Sequence, residues 1–265
     1  MTFRSLAAVP IALGAVVLVG VAAIEAEVAR TIFFRVEVEA VKLLALFGCM
    51  AAAAAFERGD YLRRAWGLVG ACMLLLLVRD LTIIPAVGAA LGPRAEGIRT
   101  VIVTVANLLS IAGSWFFACT WRVAQIDLPG SARGKRTAFT LTALLVTSLA
   151  LYAAFFDVQA LGRGQERAWV SLASDAGDIL SLWFIAPVML TALAMRGGLL
   201  MWPWAFQTAS LLAWLAYDGT VALDYVAGAG PLAIKTTSEF FRALACGSSF
   251  AAGMAQCKVV RSQTG

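Results

Sequence analysis

The 265-residue sequence contains no histidine. This removes the usual axial ligand of haem b, the commonest zinc ligand and the general base of histidine-dependent triads. Charge is scarce as well: Asp, Glu, Lys and Arg make up 14% of residues, where a soluble domain averages about 25%. The five cysteines, Cys49, Cys72, Cys119, Cys246 and Cys257, are scattered and form no CxxC, so they read as small hydrophobes packed in helices. No G-x-S-x-G nucleophile motif occurs. The small residues around Gly247 and Ser248 instead fit close helix packing. The alternating segments that a membrane β-barrel needs are missing, as is any polar stretch long enough to fold as a soluble kinase, cyclase or nucleotide-binding domain. No metal, cofactor or catalytic residue is therefore expected.

What the sequence does have is apolar length. Hydrophobic residues make up 61%, mean hydropathy is +0.85, and several windows of roughly 20 residues can span a hydrocarbon core of about 30 Å. The pattern predicts an all-α integral membrane protein, one polytopic domain over residues 1–265. Eight transmembrane helices are expected near 5–25, 31–55, 65–88, 97–122, 136–156, 168–195, 202–225 and 232–257. The first is expected to be retained. Arg4 precedes it as in a signal peptide, but the apolar run from Leu6 to Ile24 exceeds the roughly 7–15 residues of a signal's apolar region. Short loops carry turn residues, as at Arg58-Gly59-Asp60, Pro129-Gly130 and Gly197-Gly198.

Basic residues outnumber acidic ones by five. The surplus lies in short loops, where it sets membrane orientation instead of drawing nucleic acid. With both termini cytoplasmic, the inner loops and tails hold eleven Lys and Arg residues and the outer ones five, in keeping with the positive-inside rule. Arg exceeds Lys seventeen to four, a bias that fits a GC-rich bacterial genome, and the expected location is a bacterial inner membrane.

Twelve ionisable residues fall within the predicted spans: Arg35, Glu37, Glu39, Lys42, Arg79, Asp80, Asp175, Asp178, Asp218, Lys235, Glu239 and Arg242. At about 1.5 Å per residue, all lie in the outer half of the bilayer or at its midplane. The inner half holds only milder groups such as Thr147, Gln207 and Thr208. A charge facing lipid near the bilayer centre costs about 2.5–3.5 kcal/mol even on lenient scales, so these residues are expected to face a common interior. Helical spacing supports this. Arg35, Glu39 and Lys42 share a face of the second span. Ser171, Ser174, Asp175, Asp178 and Ser181 share one of the sixth. Lys235, Glu239 and Arg242 share one of the eighth, Asn107, Ser110 and Ser114 line up on the fourth, and Trp214 and Asp218 on the seventh. Spans one and five carry no such charge and are expected at the periphery. Pro85 and Pro187 lie inside charged spans, where each is expected to kink its helix.

The expected site is a pocket open to the outer side and built from Lys42, Arg79, Asp80, Asn107, Asp175, Asp178, Asp218, Glu239 and Arg242. The basic members suit a carboxylate or phosphate, and the aspartates an amine, a proton or a hard cation. The leading expectation is a sensor or receptor-like protein that binds a small polar or charged ligand or ion and passes its output to a partner protein. A small secondary transporter, proton-coupled through Asp175, Asp178 or Asp218, is the first alternative, and an intramembrane enzyme using an Asp pair is the second. The structural alternative is an accessory subunit whose buried salt bridges fix helix register.

Overall fold

The computed structural model describes residues 2–123, 131–164, 168–194, 198–227 and 232–264. These residues are helical throughout, joined by turns, with no strand among them. The helices are α1 (Phe3–Ala23), α2 (Glu27–Ala54), α3 (Tyr61–Leu81), α4 (Pro85–Leu91), α5 (Ala95–Val123), α6 (Ala132–Gly162), α7 (Ala168–Ala194), α8 (Met201–Ala227) and α9 (Leu232–Thr264), with a 3-10 turn at Gly92–Arg94.

Local chemistry sets several boundaries. The Asp60 carboxylate accepts the Leu62 N–H at 2.8 Å and starts α3. Gly59, at φ 102°, makes the preceding turn, which a residue with a side chain would adopt only with strain. The third span was expected to run to residue 88, but α3 stops at Leu81. Ile84 is extended because Pro85 follows it, and Pro85 opens α4 as its first residue. Pro85 thus starts a helix instead of kinking one. The helix α7 continues past position 187, and the Pro187 side chain lies outside the described residues.

Five segments are long and apolar enough to cross a membrane: Phe3–Ala23, Tyr61–Leu81, Pro85–Thr120, Phe139–Gln159 and Ser171–Leu190. The protein is therefore an all-helical integral membrane protein in contact with a bilayer. Its outer faces agree, since α6 exposes Leu141, Leu144, Leu145 and Leu151, and α1 exposes Ile11, Val16 and Val19. The helices α2, α8 and α9, at 28, 27 and 33 residues, match these segments in length. Their apolar character is interrupted by residues that turn inward.

Packing explains where those residues go. Six helices close into a ring, with α2 against α3, α3 against α5, α5 against α7, α7 against α8, α8 against α9 and α9 against α2. The helix α1 packs outside this ring, mainly on α9, and α6 packs outside on α7 and α8. Close approach of α2 and α9 depends on Gly48, where an added Cβ would sit 2.7 Å from the Phe250 Cα. At the end of the ring where α3, α5 and α8 bring together Trp66, Phe117 and Trp204, these rings stack edge to face at 5.0 and 5.2 Å and are buried. They belong to one core cluster with Val69, Leu182, Ile185 and Leu211.

Candidate functional site

The ring encloses a cavity of about 330 Å³, at the small end of the roughly 300–1,000 Å³ typical of organic-ligand pockets. Its wall is drawn from α3, α5, α7, α8 and α9. The wall residues of α5 and α7 come from the first halves of those helices, and Arg79 lies near the end of α3. The cavity therefore occupies the half of the bundle where α3 and α8 finish and α5, α7 and α9 begin. Val69 and Leu211 belong both to its wall and to the Trp66–Phe117–Trp204 core, so packed aromatic rings lie beyond the end of the cavity away from Arg79.

One side of the site is basic, and each basic group has a partner. Lys42 of α2 pairs with Asp80 of α3, and both are buried. Arg79 also holds Asp80, its Nε donating to Oδ1 at 2.7 Å. Arg242 of α9 donates from Nη2 to the Tyr217 hydroxyl of α8 at 2.5 Å, and its guanidinium lies 4.5 Å from the centre of the same ring. Its Nη1 is 3.0 Å from Glu239 Oε2. That oxygen makes no aligned hydrogen bond, so charge holds this pair more than bond geometry does. Arg99 closes the α3–α5 junction by donating to the Thr82 hydroxyl at 3.0 Å and the Thr82 carbonyl at 2.7 Å.

The opposite side is acidic. Asp178 of α7 is in side-chain contact with Asp218 of α8, and Ser174 also reaches Asp218. Asp175 of α7 meets Asp157 of α6 in the same way, with Ser171 beside Asp157. All four carboxyls are buried, Asp157 completely. Among the described residues, both oxygens of Asp157 and Asp175, and Oδ2 of Asp178 and Asp218, have no hydrogen-bond donor. Glu37 of α2 is buried with neither oxygen hydrogen-bonded.

The structure thus divides the expected site. Arg79, Asn107, Asp178, Asp218 and Arg242 reach the cavity wall. Lys42, Asp80 and Glu239 stand behind it as ion-pair partners, and Asp175 turns toward Asp157. Two residues expected inside are exposed. Arg35 lies too near the start of α2 to be enclosed by the ring, and Lys235, in the first turn of α9, rests its Nζ over the Phe34 ring at 4.9 Å. The sequence reading missed Asp157, Tyr217 and Arg99. Asp157 sits one residue past the expected end of the fifth span, whereas α6 runs on to Gly162. A lone carboxylate in the apolar run Tyr152–Leu161 was its available signal. Gln207, expected in a separate inner half, reaches the cavity wall, so the polar interior extends deeper than its charges alone indicate.

Among the described residues, no three His, Cys, Asp or Glu side chains converge as a metal site. No protein-family model, curated protein or solved structure matches the chain.

Proposed function

We propose that the protein is a sensor or receptor-like membrane protein that binds a small polar or charged ligand in a cavity open to the outer side, with output through a partner protein. In this reading all eight long helices cross a bacterial inner membrane, with both termini cytoplasmic. The observation that carries it is the cavity of about 330 Å³, whose wall brings together Arg79, Arg242, Asp178 and Asp218. Charged groups held within a membrane bundle mark a functional interior, and a small cavity with few convergent polar groups is the usual form of a ligand site. The aromatic core beyond its inner end favours binding over passage.

Cys72 is a native reporter, because it lines the cavity. In membranes of known sidedness, a membrane-impermeant thiol reagent added from the periplasmic side is expected to modify Cys72, and a Cys72→Ser variant identifies that signal. Modification only from the cytoplasmic side overturns the outward-open reading.

A second reading, a proton-coupled secondary transporter, draws on the four buried carboxyls Asp157, Asp175, Asp178 and Asp218, which come from the three neighbouring helices α6, α7 and α8. Accumulation of a solute by proteoliposomes under a proton gradient would favour it over the sensor.

A further inference from the structure

Resting on the reading of the cavity as a ligand site, we propose that its ligand is a small organic acid. Its carboxylate meets Arg79, Arg242 and Tyr217, and its apolar body meets the deeper wall. These three residues come from α3, α9 and α8, and all line the cavity. The carboxyls of Asp178 and Asp218 are buried, but the two guanidiniums keep accessible surface within the bundle. The Arg79 side chain is 24% exposed and that of Arg242 11%. Both charges act on Tyr217 and on Asp80, so they share one end of the cavity.

A guanidinium carries five N–H donors in a flat fork, and internal partners use only part of each fork here. At Arg79, Nε and Nη2 both go to one oxygen, Asp80 Oδ1, at 2.7 and 2.5 Å. The other Asp80 oxygen is committed to Lys42, and Arg79 Nη1 has no partner among the described residues. At Arg242, Nη2 donates to the Tyr217 hydroxyl, and Nη1 faces Glu239 without an aligned hydrogen bond. Its Nε has no partner among the described residues. Tyr217 accepts the bond from Arg242, and its own O–H proton has no acceptor among the described residues. Glu37 and Glu39 of α2 act on these cations through space, but neither lines the cavity or pairs with Arg79 or Arg242. Open donors from three helices thus meet beside two fixed positive charges. Such donors suit a carboxylate, whose charge-assisted hydrogen bonds are about twice as strong as neutral ones.

The deeper wall selects the rest of the ligand. On α3, Cys72, Leu76 and Arg79 share a face, and on α8 Leu211 and Trp214 continue the face of Tyr217. From Arg79 to Cys72 is about 10 Å along α3, and from Tyr217 to Leu211 about 9 Å along α8. The donors therefore stand at one end of an apolar stretch of that length. Asp178 and Asp218 also reach the wall, but their side chains meet each other, and Ser174 meets Asp218. An acid with an aromatic or branched body fills this space, and a bare inorganic anion leaves it empty.

The test is isothermal titration calorimetry of the full chain in lipid nanodiscs, with the heat of empty nanodiscs subtracted. The probes are 3-phenylpropionate, acetate, 3-phenylpropan-1-ol and 3-phenylpropan-1-amine. The phenyl acid is expected to bind saturably, acetate about tenfold or more weakly, and the alcohol and the amine not at all. Arg79→Gln and Arg242→Gln are each expected to weaken the phenyl acid by about tenfold to a hundredfold. Tyr217→Phe, which keeps the ring beside Arg242, is expected to weaken it by about threefold to tenfold. Arg79→Lys keeps the charge beside Asp80 and still weakens binding, because the fork is lost. Arg64→Gln, at an exposed arginine near the other end of α3, leaves the affinity unchanged. The comparison of probes on the unsubstituted protein stands if a variant fails to fold. Binding of the amine or the alcohol as tight as that of the acid, or binding of no probe, overturns the assignment. So does an affinity unchanged in folded Arg79→Gln and Arg242→Gln, and acetate equal to the phenyl acid overturns the apolar body. The sidedness of Cys72 is read separately. Outer-side modification with no acid binding overturns this inference alone, and modification only from the cytoplasmic side overturns the outward-open reading even where the acid binds.

Discussion

Lys42 and Asp80 form an ion pair between α2 and α3 whose side chains are only 1% and 7% exposed. They lie 38 residues apart in sequence and meet just behind the cavity wall, where Arg79 also grips Asp80. The pair joins two neighbours of the ring at the depth of the cavity. Burying two charges is repaid only by good geometry and further hydrogen bonds, and Asp80 has both cations around it.

Removing one partner should therefore be worse than removing both. Lys42→Met is expected to destabilise the protein by about 3–5 kcal/mol, because Asp80 loses its most buried counter-charge. The double variant Lys42→Met/Asp80→Leu should recover much of that loss. Thermal unfolding in detergent of the two single variants and the double one closes the cycle. An additive result would mean that the two side chains do not interact.

The contact between Asp157 and Asp175 carries the opposite expectation. Among the described residues, the adjacent carboxyls of Asp157 and Asp175 have no hydrogen-bond donor. Asp157→Asn supplies an N–H to Asp175 and should leave stability unchanged or raise it by about 1 kcal/mol. Asp157→Leu, which leaves Asp175 buried with neither donor nor partner, should lower it. A marked fall in melting temperature for Asp157→Asn would mean that the charged form of this pair is needed by the native protein.

The aromatic core at the end of the ring away from Arg79 makes a separate prediction. Phe117 stacks between Trp66 and Trp204 and is fully buried. Phe117→Ala is expected to cost about 3–5 kcal/mol and to let thiol reagents reach Cys72 from the cytoplasmic side as well as from the outer side. Retained sidedness in a folded Phe117→Ala variant would show that the barrier lies elsewhere.

How much was legible in the sequence depends on the range of the physics. Apolar length is a local property, and it marked each long helix, though α3 stopped early at Pro85 and α6 and α9 run six and seven residues past the expected ends of their spans. Helical spacing is also local, and it aligned Asp178 with Ser171 and Glu239 with Arg242 before any contact was known. Depth along one helix cannot tell whether a neighbour covers a residue, so Arg35 and Lys235 were grouped with the interior though they are exposed at helix ends. Asp157 lies one residue past the expected end of the fifth span, and only the extension of α6 to Gly162 carried it in beside Asp175.

By itself, then, the sequence determined an apolar, all-helical membrane chain with a band of charge at one depth, because hydropathy and the 3.6-residue period act over a single helix. Only the tertiary structure decided which charges meet. The order of helices around the ring set Lys42 of α2 on Asp80 of α3 and Arg242 of α9 on Tyr217 of α8, and it brought Asp178 of α7 and Asp218 of α8 to one cavity wall. Those pairings join residues on different helices, and the packing of small residues such as Gly48 against a distant helix brings them within reach.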